Sequence, residues 1–203
     1  KVRDFEKKFS KKLKSKYALA VSSGTAALRV ALSTLDLKKT DEVITQSFTF
    51  VATVEAIVEA RAKPVCTEVD ETLNMDPEDL IKKITKNTKA VIVVHMLGVP
   101  ARLDKIKRIC KKYKIYLIED TAWGCGAKFK NKFLGTLGDV GVLSFDFGKN
   151  ITTGEGGAIL TNKQKIFKYS REYHDHGHEL NPKLPRGLDT VKIFGFNYRM
   201  TEM

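Results

Sequence analysis

Residues 144–157 read Ser144-Phe145-Asp146-Phe147-Gly148-Lys149-Asn150-Ile151-Thr152-Thr153-Gly154-Glu155-Gly156-Gly157, and the rest of the predicted fold is arranged around them. A β-prone run over residues 141–147 precedes the lysine, and an apolar run over residues 158–160 follows the glycines. This pattern predicts a strand, a turn tight enough to need glycine, and a second strand. It therefore places the amine of Lys149 at the end of a strand.

Strands and helices alternate along the rest of the chain. Strands are predicted over residues 17–21, 41–45, 63–69, 90–95 and 115–118. Helices are predicted over residues 2–14, from residue 22 onward, and over residues 51–61, 76 to about 85, 102–113 and 163–173. The continuously apolar run Ala90–His95 is typical of a central parallel strand. The alternation predicts an α/β fold, a doubly wound and mostly parallel sheet with helices on both faces. With no linker or internal repeat, residues 1–203 are predicted to be one domain.

Several residues capable of chemistry fall directly after predicted strands. In open α/β sheets, ligands bind beyond the carboxyl ends of the strands. The sequence therefore predicts that one edge of the sheet collects Ser23, Phe50, His95, Asp120 and Lys149. For His95 the alternative is a strand-end histidine that is hydrogen-bonded within the protein.

Three of these features together match the chemistry of pyridoxal 5'-phosphate (PLP). A lysine amine reacts with an aldehyde, and a buried carboxylate keeps a pyridine nitrogen protonated. The Ser-Gly-Thr start of a helix at residues 23–25 suits a phosphate dianion. Each feature has a plainer alternative: an ordinary helix cap at residues 22–25, a capping or salt-bridged aspartate at Asp120, core packing for Phe50, and a satisfied hydroxyl for Ser144.

Composition argues against two classes of partner. The 203 residues are 42% hydrophobic and 30% charged, without an apolar run long enough to span a membrane and without a charged-then-apolar leader, so we expect a cytoplasmic globular protein with no membrane partner. The net charge of +12 comes from 36 basic and 24 acidic residues. The excess is scattered lysine without arginine–aromatic clusters, which predicts no nucleic-acid partner. A regulatory or nucleic-acid-binding protein that uses this basic surface stays open as an alternative.

Five segments resemble motifs of the DegT/DnrJ/EryC1/StrS family. Members of this family are PLP-dependent sugar aminotransferases with the aspartate-aminotransferase fold (fold type I). The segments occur in the family's order and cover the chain nearly end to end: Ser23–Leu28, Ser47–Thr53, Glu119–Ala122, Ser144–Gly157 and Asn197–Glu202.

The resemblance implies a role for each residue of the site. Lys149 would hold PLP covalently and later carry the proton between cofactor and sugar. Asp120 would pair with the pyridine nitrogen, and Phe50 would stack on the ring. The phosphate would be bound by Gly24, Thr25 and Ser144. Asn197 matches a family asparagine that reaches the phosphate of the neighbouring subunit, which implies a homodimer with shared active sites.

The sequence departs from the family pattern in two respects. Trp123 stands where many members have a glutamine that touches the ring hydroxyl of the cofactor. The chain also begins without methionine and stops just after the Asn-Tyr-Arg motif, whereas family members continue into a smaller C-terminal domain. The resemblance therefore implies that residues 1–203 are the PLP-binding large domain of a longer protein, without its N-terminal lead-in and its small C-terminal domain.

The segment His174-Asp175-His176-Gly177-His178-Glu179 suggests either a metal site or a substrate loop. Its alternate histidines lack the ligand spacing of known zinc sites, so we expect no metal. Family members that aminate an eight-carbon keto-sugar acid share a similar Asp-His-Gly-His run. By this resemblance we expect His176 and His178 to contact substrate. We expect Arg186 to meet its carboxylate or phosphate, the alternative being a solvated surface residue.

The resemblance implies transfer of an amino group to a keto sugar for surface polysaccharide, such as lipopolysaccharide. The donor would be an amino acid, glutamate by expectation, and the acceptor a nucleotide-linked sugar or an eight-carbon keto-sugar acid. A sugar dehydratase branch of the same family carries histidine in place of the lysine, so Lys149 argues against it. Another lyase on the same PLP fold is a further alternative.

Overall fold

Residues 1–202 are described by a computed structural model, and Met203, the last residue of the predicted domain, lies outside them. The helices are α1 (Val2–Leu13), α2 (Gly24–Ser33), α3 (Val51–Glu59), α4 (Pro77–Lys83), α5 (Leu103–Tyr113) and α6 (Gln164–Tyr173). The strands are β1 (Tyr17–Val21), β2 (Glu42–Gln46), β3 (Lys63–Thr67), β4 (Thr88–Val94), β5 (Tyr116–Asp120), β6 (Lys128–Phe129), β7 (Lys132–Phe133), β8 (Val140–Ser144) and β9 (Gly157–Thr161).

Seven strands form one mixed sheet in the order β1-β9-β8-β5-β4-β2-β3. Strand β9 is antiparallel to both of its neighbours, and the remaining pairs are parallel. Six strands therefore share one direction and end at the same edge. Strand β9 begins at that edge, so the loop that carries Lys149 joins two strands there.

Helices cover both faces of this sheet, as the alternation predicts. On one face, Ala90 and Ile92 of β4 pack with buried residues of α2, α3 and α6. On the other face, Val91 and Val93 pack with residues of α4 and α5. Full burial of an aliphatic side chain contributes about 1.5–3 kcal/mol, so both helical layers stabilise the central strand. The α/β prediction is confirmed.

The N-terminal helix supports the start of the lysine loop. The rings of Phe5 and Phe9 on α1 meet the ring of Phe145 edge-on, with centroids 5.7 and 5.5 Å away. Phe145 directly follows β8 and is fully buried. This packing fixes the backbone from which the lysine loop departs.

The C-terminal segment, residues 174–202, contains one 3-10 helix (Arg186–Leu188) and returns to the sheet, where Arg199 forms a bridge with Val21 of β1. Its Tyr198 carbonyl accepts a hydrogen bond from Ser22 N–H at 2.8 Å, beside the start of α2. Asp175, only 3% exposed, accepts hydrogen bonds from the guanidinium groups of Arg186 and Arg199. One buried carboxylate therefore ties this segment to the end of α6.

None of the helices in residues 1–202 combines the length and the apolar character needed to cross a membrane.

Candidate active site

A cavity of about 380 Å³ lies at the carboxyl edge of the sheet. Its wall brings together residues from the ends of β1, β2, β5 and β8, which are far apart in sequence. Six of the residues predicted to bind the cofactor line it: Gly24, Thr25, Phe50, Asp120, Ser144 and Lys149. A larger open groove of about 570 Å³ lies at the opposite edge, among Lys107, Lys111, Tyr116 and Asp139. It contains none of the predicted cofactor residues.

The loop after β8 turns sharply so that Lys149 reaches back into the cavity. The Lys149 N–H donates to the Asp146 carbonyl at 3.0 Å, and the Gly148 N–H donates to the Asp146 carboxylate at 3.3 Å. Farther along the loop, the Thr153 N–H returns to the Phe145 carbonyl at 3.0 Å. Hydrogen bonds within the loop therefore fix its shape. Asp and Thr side chains commonly accept hydrogen bonds from backbone N–H groups one or two residues farther along the chain, which is why they occur in turns of this kind.

Asp120 ends β5 as a buried carboxylate on the cavity wall. It is 5% exposed and accepts hydrogen bonds from the Ala122 N–H at 3.1 Å and the Thr53 hydroxyl at 3.3 Å. Burial raises the pKa of Asp120 above its ordinary value, and these two donors only partly oppose the shift. A buried carboxylate in this state gains from a cationic N–H donor placed in the cavity.

The opposite part of the cavity is the start of α2. The Ser23 hydroxyl caps this helix by accepting the Ala26 N–H at 3.0 Å. A Cβ on Gly24 would lie 2.8 Å from the Ser144 Cβ, so only glycine lets the helix approach β8 this closely. The first turn of a helix presents free N–H groups and the positive end of the dipole. Next to the Ser144 hydroxyl, that turn is a suitable place for a phosphate.

The residues present therefore fit PLP. Asp120 suits the ring nitrogen, Lys149 the aldehyde, and the Gly24–Ser144 contact a phosphate held by the helix start. Phe50 stands at the mouth with 69% of its surface exposed, where a ring in the cavity would cover it. Ser23 is a helix cap, as the alternative interpretation of residues 22–25 states, and Gly24 and Thr25 line the cavity, where their binding of a phosphate stays a prediction.

His95 does not line the cavity. Its Nδ1 accepts the Ala101 N–H at 3.1 Å, so Nε2 carries the proton and faces the Glu119 carboxylate at 3.3 Å. Glu119 also accepts N–H groups from Gly135 at 3.0 Å and Leu137 at 2.7 Å. His95 is therefore the satisfied strand-end histidine of the alternative interpretation, and it anchors the loop before β8.

Four predicted residues lie outside this cavity within residues 1–202: Asn197, His176, His178 and Arg186. Asn197 is exposed and pairs with Asp175 across a short β-bridge, and Arg186 binds the Asp175 carboxylate. His178 lies 3.8 Å from the Asp189 carboxylate. Their substrate and partner-site roles stay predictions. In the described part of the chain, no three His, Cys, Asp or Glu side chains are grouped so as to hold a metal ion.

The sequence did not predict Thr53 as a site residue, and it did not predict the contact that Trp123 makes. Thr53, on the first turn of α3, bonds Asp120 and shares a 2.9 Å contact between its hydroxyl and that of Thr49. The spacing of two threonines by four residues in a helical start is the signal that points to this contact. The ring of Trp123 lies against the Lys149 amine, with Nζ 3.7 Å from the ring centroid.

Comparison with known proteins agrees with this geometry. The sequence profile of the DegT/DnrJ/EryC1/StrS aminotransferase family matches residues 1–203. GDP-perosamine synthase of Escherichia coli O157:H7 is 39% identical over 203 residues, which is 100% of this chain and 54% of that protein. The spore coat polysaccharide biosynthesis protein SpsC of Bacillus subtilis is 38% identical over 178 residues, covering 87% of this chain and 46% of that protein.

Solved structures show the same fold. An aminotransferase from Psychrobacter cryohalolentis superposes with a TM-score of 0.93 at 37% identity, covering 98% of this chain and 52% of that one. NtdA of Bacillus subtilis, with the cofactor PMP bound, gives 0.89 at 33% identity, covering 98% and 44%. E. coli GDP-4-keto-6-deoxy-D-mannose-3-dehydratase, with hydrated PLP bound, gives 0.89 at 32% identity, covering 98% and 56%. The chain thus spans about half the length of these relatives.

Proposed function

The chain belongs to the DegT/DnrJ/EryC1/StrS aminotransferase family, and we propose that it is the PLP-binding part of an enzyme that aminates a keto sugar, with glutamate as the amino donor. The observation that carries the proposal is the single cavity shared by Lys149, Asp120 and the start of α2. Relatives of the same fold bind PLP or PMP, which supports PLP as the cofactor.

Each residue has a defined task in this proposal. When bound, PLP supplies an aldehyde that combines with amines and a protonated ring that accepts electrons. The Lys149 amine would hold the cofactor and would carry a proton to or from the reacting carbon. Asp120 would keep the ring nitrogen protonated, Phe50 would cover the ring, and Gly24, Thr25 and Ser144 would hold the phosphate.

The dehydratase among the relatives is the competing activity. Lys149 favours amino transfer, because the dehydratase branch carries histidine at the lysine position. The experiment supplies the purified protein with PLP, [¹⁵N]glutamate and either GDP-4-keto-6-deoxymannose or an eight-carbon keto-sugar acid. Mass spectrometry should find ¹⁵N in an amino sugar. A product that has lost oxygen without gaining nitrogen would instead assign the dehydratase reaction.

A role in surface polysaccharide synthesis completes the proposal. GDP-perosamine synthase and a spore coat polysaccharide protein are among the relatives, which supports an activated sugar destined for a cell-surface polymer. A nucleotide-linked acceptor fits these relatives, while the Asp175–His178 run supports an eight-carbon keto-sugar acid. We place the enzyme in the cytoplasm, where PLP and activated sugars are available.

A homodimer is also part of the proposal. Exposed aromatic side chains surround the mouth of the cavity and the C-terminal segment, with Phe147 at 81% and Phe194 at 94% exposure. Large exposed apolar groups of this kind mark interaction surfaces, and a second copy of the chain is the partner that the family suggests. Asn197 is exposed on the same segment, from which it would reach the phosphate in the partner's cavity.

The shared site can be tested by complementation. Asn197→Ala and Lys149→Ala should each give a weakly active or inactive homodimer. In a mixed dimer, one of the two cavities has an intact lysine from its own subunit and an intact asparagine from the other subunit. Random mixing should therefore restore about a quarter of the wild-type activity per site. Coexpression with two affinity tags provides the sample, and a mixture no more active than its parents would contradict the shared site.

Gly24 gives a test of the phosphate position. Gly24→Ala places a Cβ 2.8 Å from the Ser144 Cβ and must displace the start of α2 from the end of β8. Overpacking of this kind costs about 1–3 kcal/mol, so PLP binding should weaken by roughly ten- to a hundredfold. Equilibrium titration with PLP measures the effect. Gly187→Ala is the matched control, because its Cβ would stand in open space.

A further inference from the structure

The indole ring of Trp123 and the amine of Lys149 make the shortest lysine–aromatic contact in residues 1–202. The Lys149 Nζ lies 3.7 Å from the ring centroid, whereas the other such contacts span 4.7–5.4 Å. Within the same residues, no carboxylate oxygen lies within 4.0 Å of this amine. The face of the indole is therefore the close partner of the ammonium group, and indole is the aromatic side chain with the strongest attraction for a cation.

The backbone of Trp123 is held by contacts that do not involve the lysine. The loop that carries it is closed by the Gly124 N–H, which donates to the Thr121 carbonyl at 2.9 Å. A turn at residues 96–98 packs against this loop. Gly98 has a φ of +82°, and a Cβ there would lie 3.0 Å from the Trp123 carbonyl oxygen. The indole therefore projects from a defined backbone, whereas the amine stands at the end of a flexible side chain.

We propose that Trp123 is a positioning residue that binds the Lys149 ammonium on its ring face and keeps the amine inside the cavity. Lysine has a flexible four-carbon stem, and its loop is exposed on both sides at Gly148 and Asn150. Confinement raises the fraction of time that the nitrogen spends in place, where it meets an incoming aldehyde after releasing the ammonium proton to solvent. A glutamine, found here in many family members, has no π face and cannot supply this contact.

The proposal rests on the proposed function only in naming PLP as the aldehyde. The contact joins two side chains of this chain and is open to a measurement that does not involve the cofactor. Trp123 is the single tryptophan of the 203 residues, and indole emission responds to a charge held against its ring. Subtracting the spectrum of the matching Trp123→Phe protein isolates its signal.

The first experiment compares the tryptophan emission of cofactor-free wild type, Lys149→Met, Lys149→Arg and Lys112→Met. Lys112 is the matched control, because it lies over the Tyr113 ring at 5.3 Å and not over an indole. Lys149→Met should shift and change the intensity of the emission, Lys149→Arg should retain most of the wild-type signal, and Lys112→Met should match wild type. Equal spectra for Lys149→Met and Lys112→Met would overturn the proposal.

The second experiment measures how fast PLP is captured at Lys149, by borohydride quenching at timed intervals and peptide mass spectrometry. Loss of a cation–π contact predicts capture about tenfold slower in Trp123→Leu, with most of the rate restored in Trp123→Phe. A leucine variant at the wild-type rate, or a phenylalanine variant as slow as leucine, would contradict a positioning role. If wild type captures no PLP, the proposed function fails, and the emission spectra decide the Trp123–Lys149 contact separately.

Discussion

Replacing Lys149 with alanine is expected to abolish covalent binding of PLP and to lower amino transfer by at least about 10³-fold. The reason is that, in the proposed function, one amine would both hold the cofactor and carry the proton. Among residues 1–202, Lys149 is the one lysine that lines the cavity, so no other amine is placed to take over. The measurement combines the absorbance of protein-bound PLP after dialysis with the rate of ¹⁵N transfer from glutamate.

A matched control separates this effect from a loss of positive charge. Lys130 is an exposed lysine whose amine pairs with the Asp104 carboxylate at 2.8 Å, remote from the cavity. Lys130→Ala should retain PLP and wild-type turnover. Turnover of Lys149→Ala within tenfold of Lys130→Ala would remove Lys149 from the chemistry.

Replacing Asp120 with asparagine is expected to change activity and stability in opposite directions. Turnover should fall by at least about a hundredfold, because the amide no longer holds the proton on the ring nitrogen. The cofactor-free protein should become more stable at neutral pH, because a buried carboxylate that lacks a cationic partner is replaced by a neutral group of similar shape. PLP should therefore stabilise wild type more than it stabilises the variant.

The stability effect has a defined pH dependence. The pKa of Asp120 is raised in the folded protein above its ordinary value of 3.8, so folding favours the protonated acid. As pH rises from about 3.8 through the raised value, wild type loses this stability and Asp120→Asn does not. The difference in unfolding free energy between Asp120→Asn and wild type should thus grow over that pH interval and stay constant at higher pH. Urea unfolding of the cofactor-free proteins measures it.

Glu119→Gln is the contrasting variant. Glu119 is equally buried, but its oxygens already accept N–H groups from Gly135 and Leu137 and face His95. An amide nitrogen in place of one oxygen would face N–H donors, so this variant should lose stability at neutral pH. If Glu119→Gln and Asp120→Asn changed the free energy of unfolding in the same direction, Asp120 would not be the buried carboxylate that needs a cationic partner in the cavity.

The sequence predicted the α/β fold because long apolar runs and capped helices carry strong local signals. The ends of the strands were predicted less well. Strand β3 was predicted to reach Val69, but it ends at Thr67, because its pairing with β2 stops there. The hairpin of β6 and β7 was missed because each strand has two residues. Its turn depends on Lys130 and Asn131 adopting positive φ, which no local pattern predicts.

The site was predictable where it depends on the edge of the sheet. Gly24, Asp120 and Lys149 follow strands that run in one direction, so topology alone brings them together. The Trp123–Lys149 contact was not predictable, because it depends on side-chain directions in two separate loops. Asn197, His176, His178 and Arg186 do not line the cavity in residues 1–202, so their roles stay predictions from the family resemblance.

The measurement that tests the central claim most directly is borohydride reduction of the purified protein with PLP, followed by peptide mass spectrometry. A single reduced adduct should appear on the peptide that contains Lys149, together with loss of the absorbance band of bound cofactor. An adduct on a different lysine, or no band in protein with Lys149 intact and PLP in excess, would contradict the account.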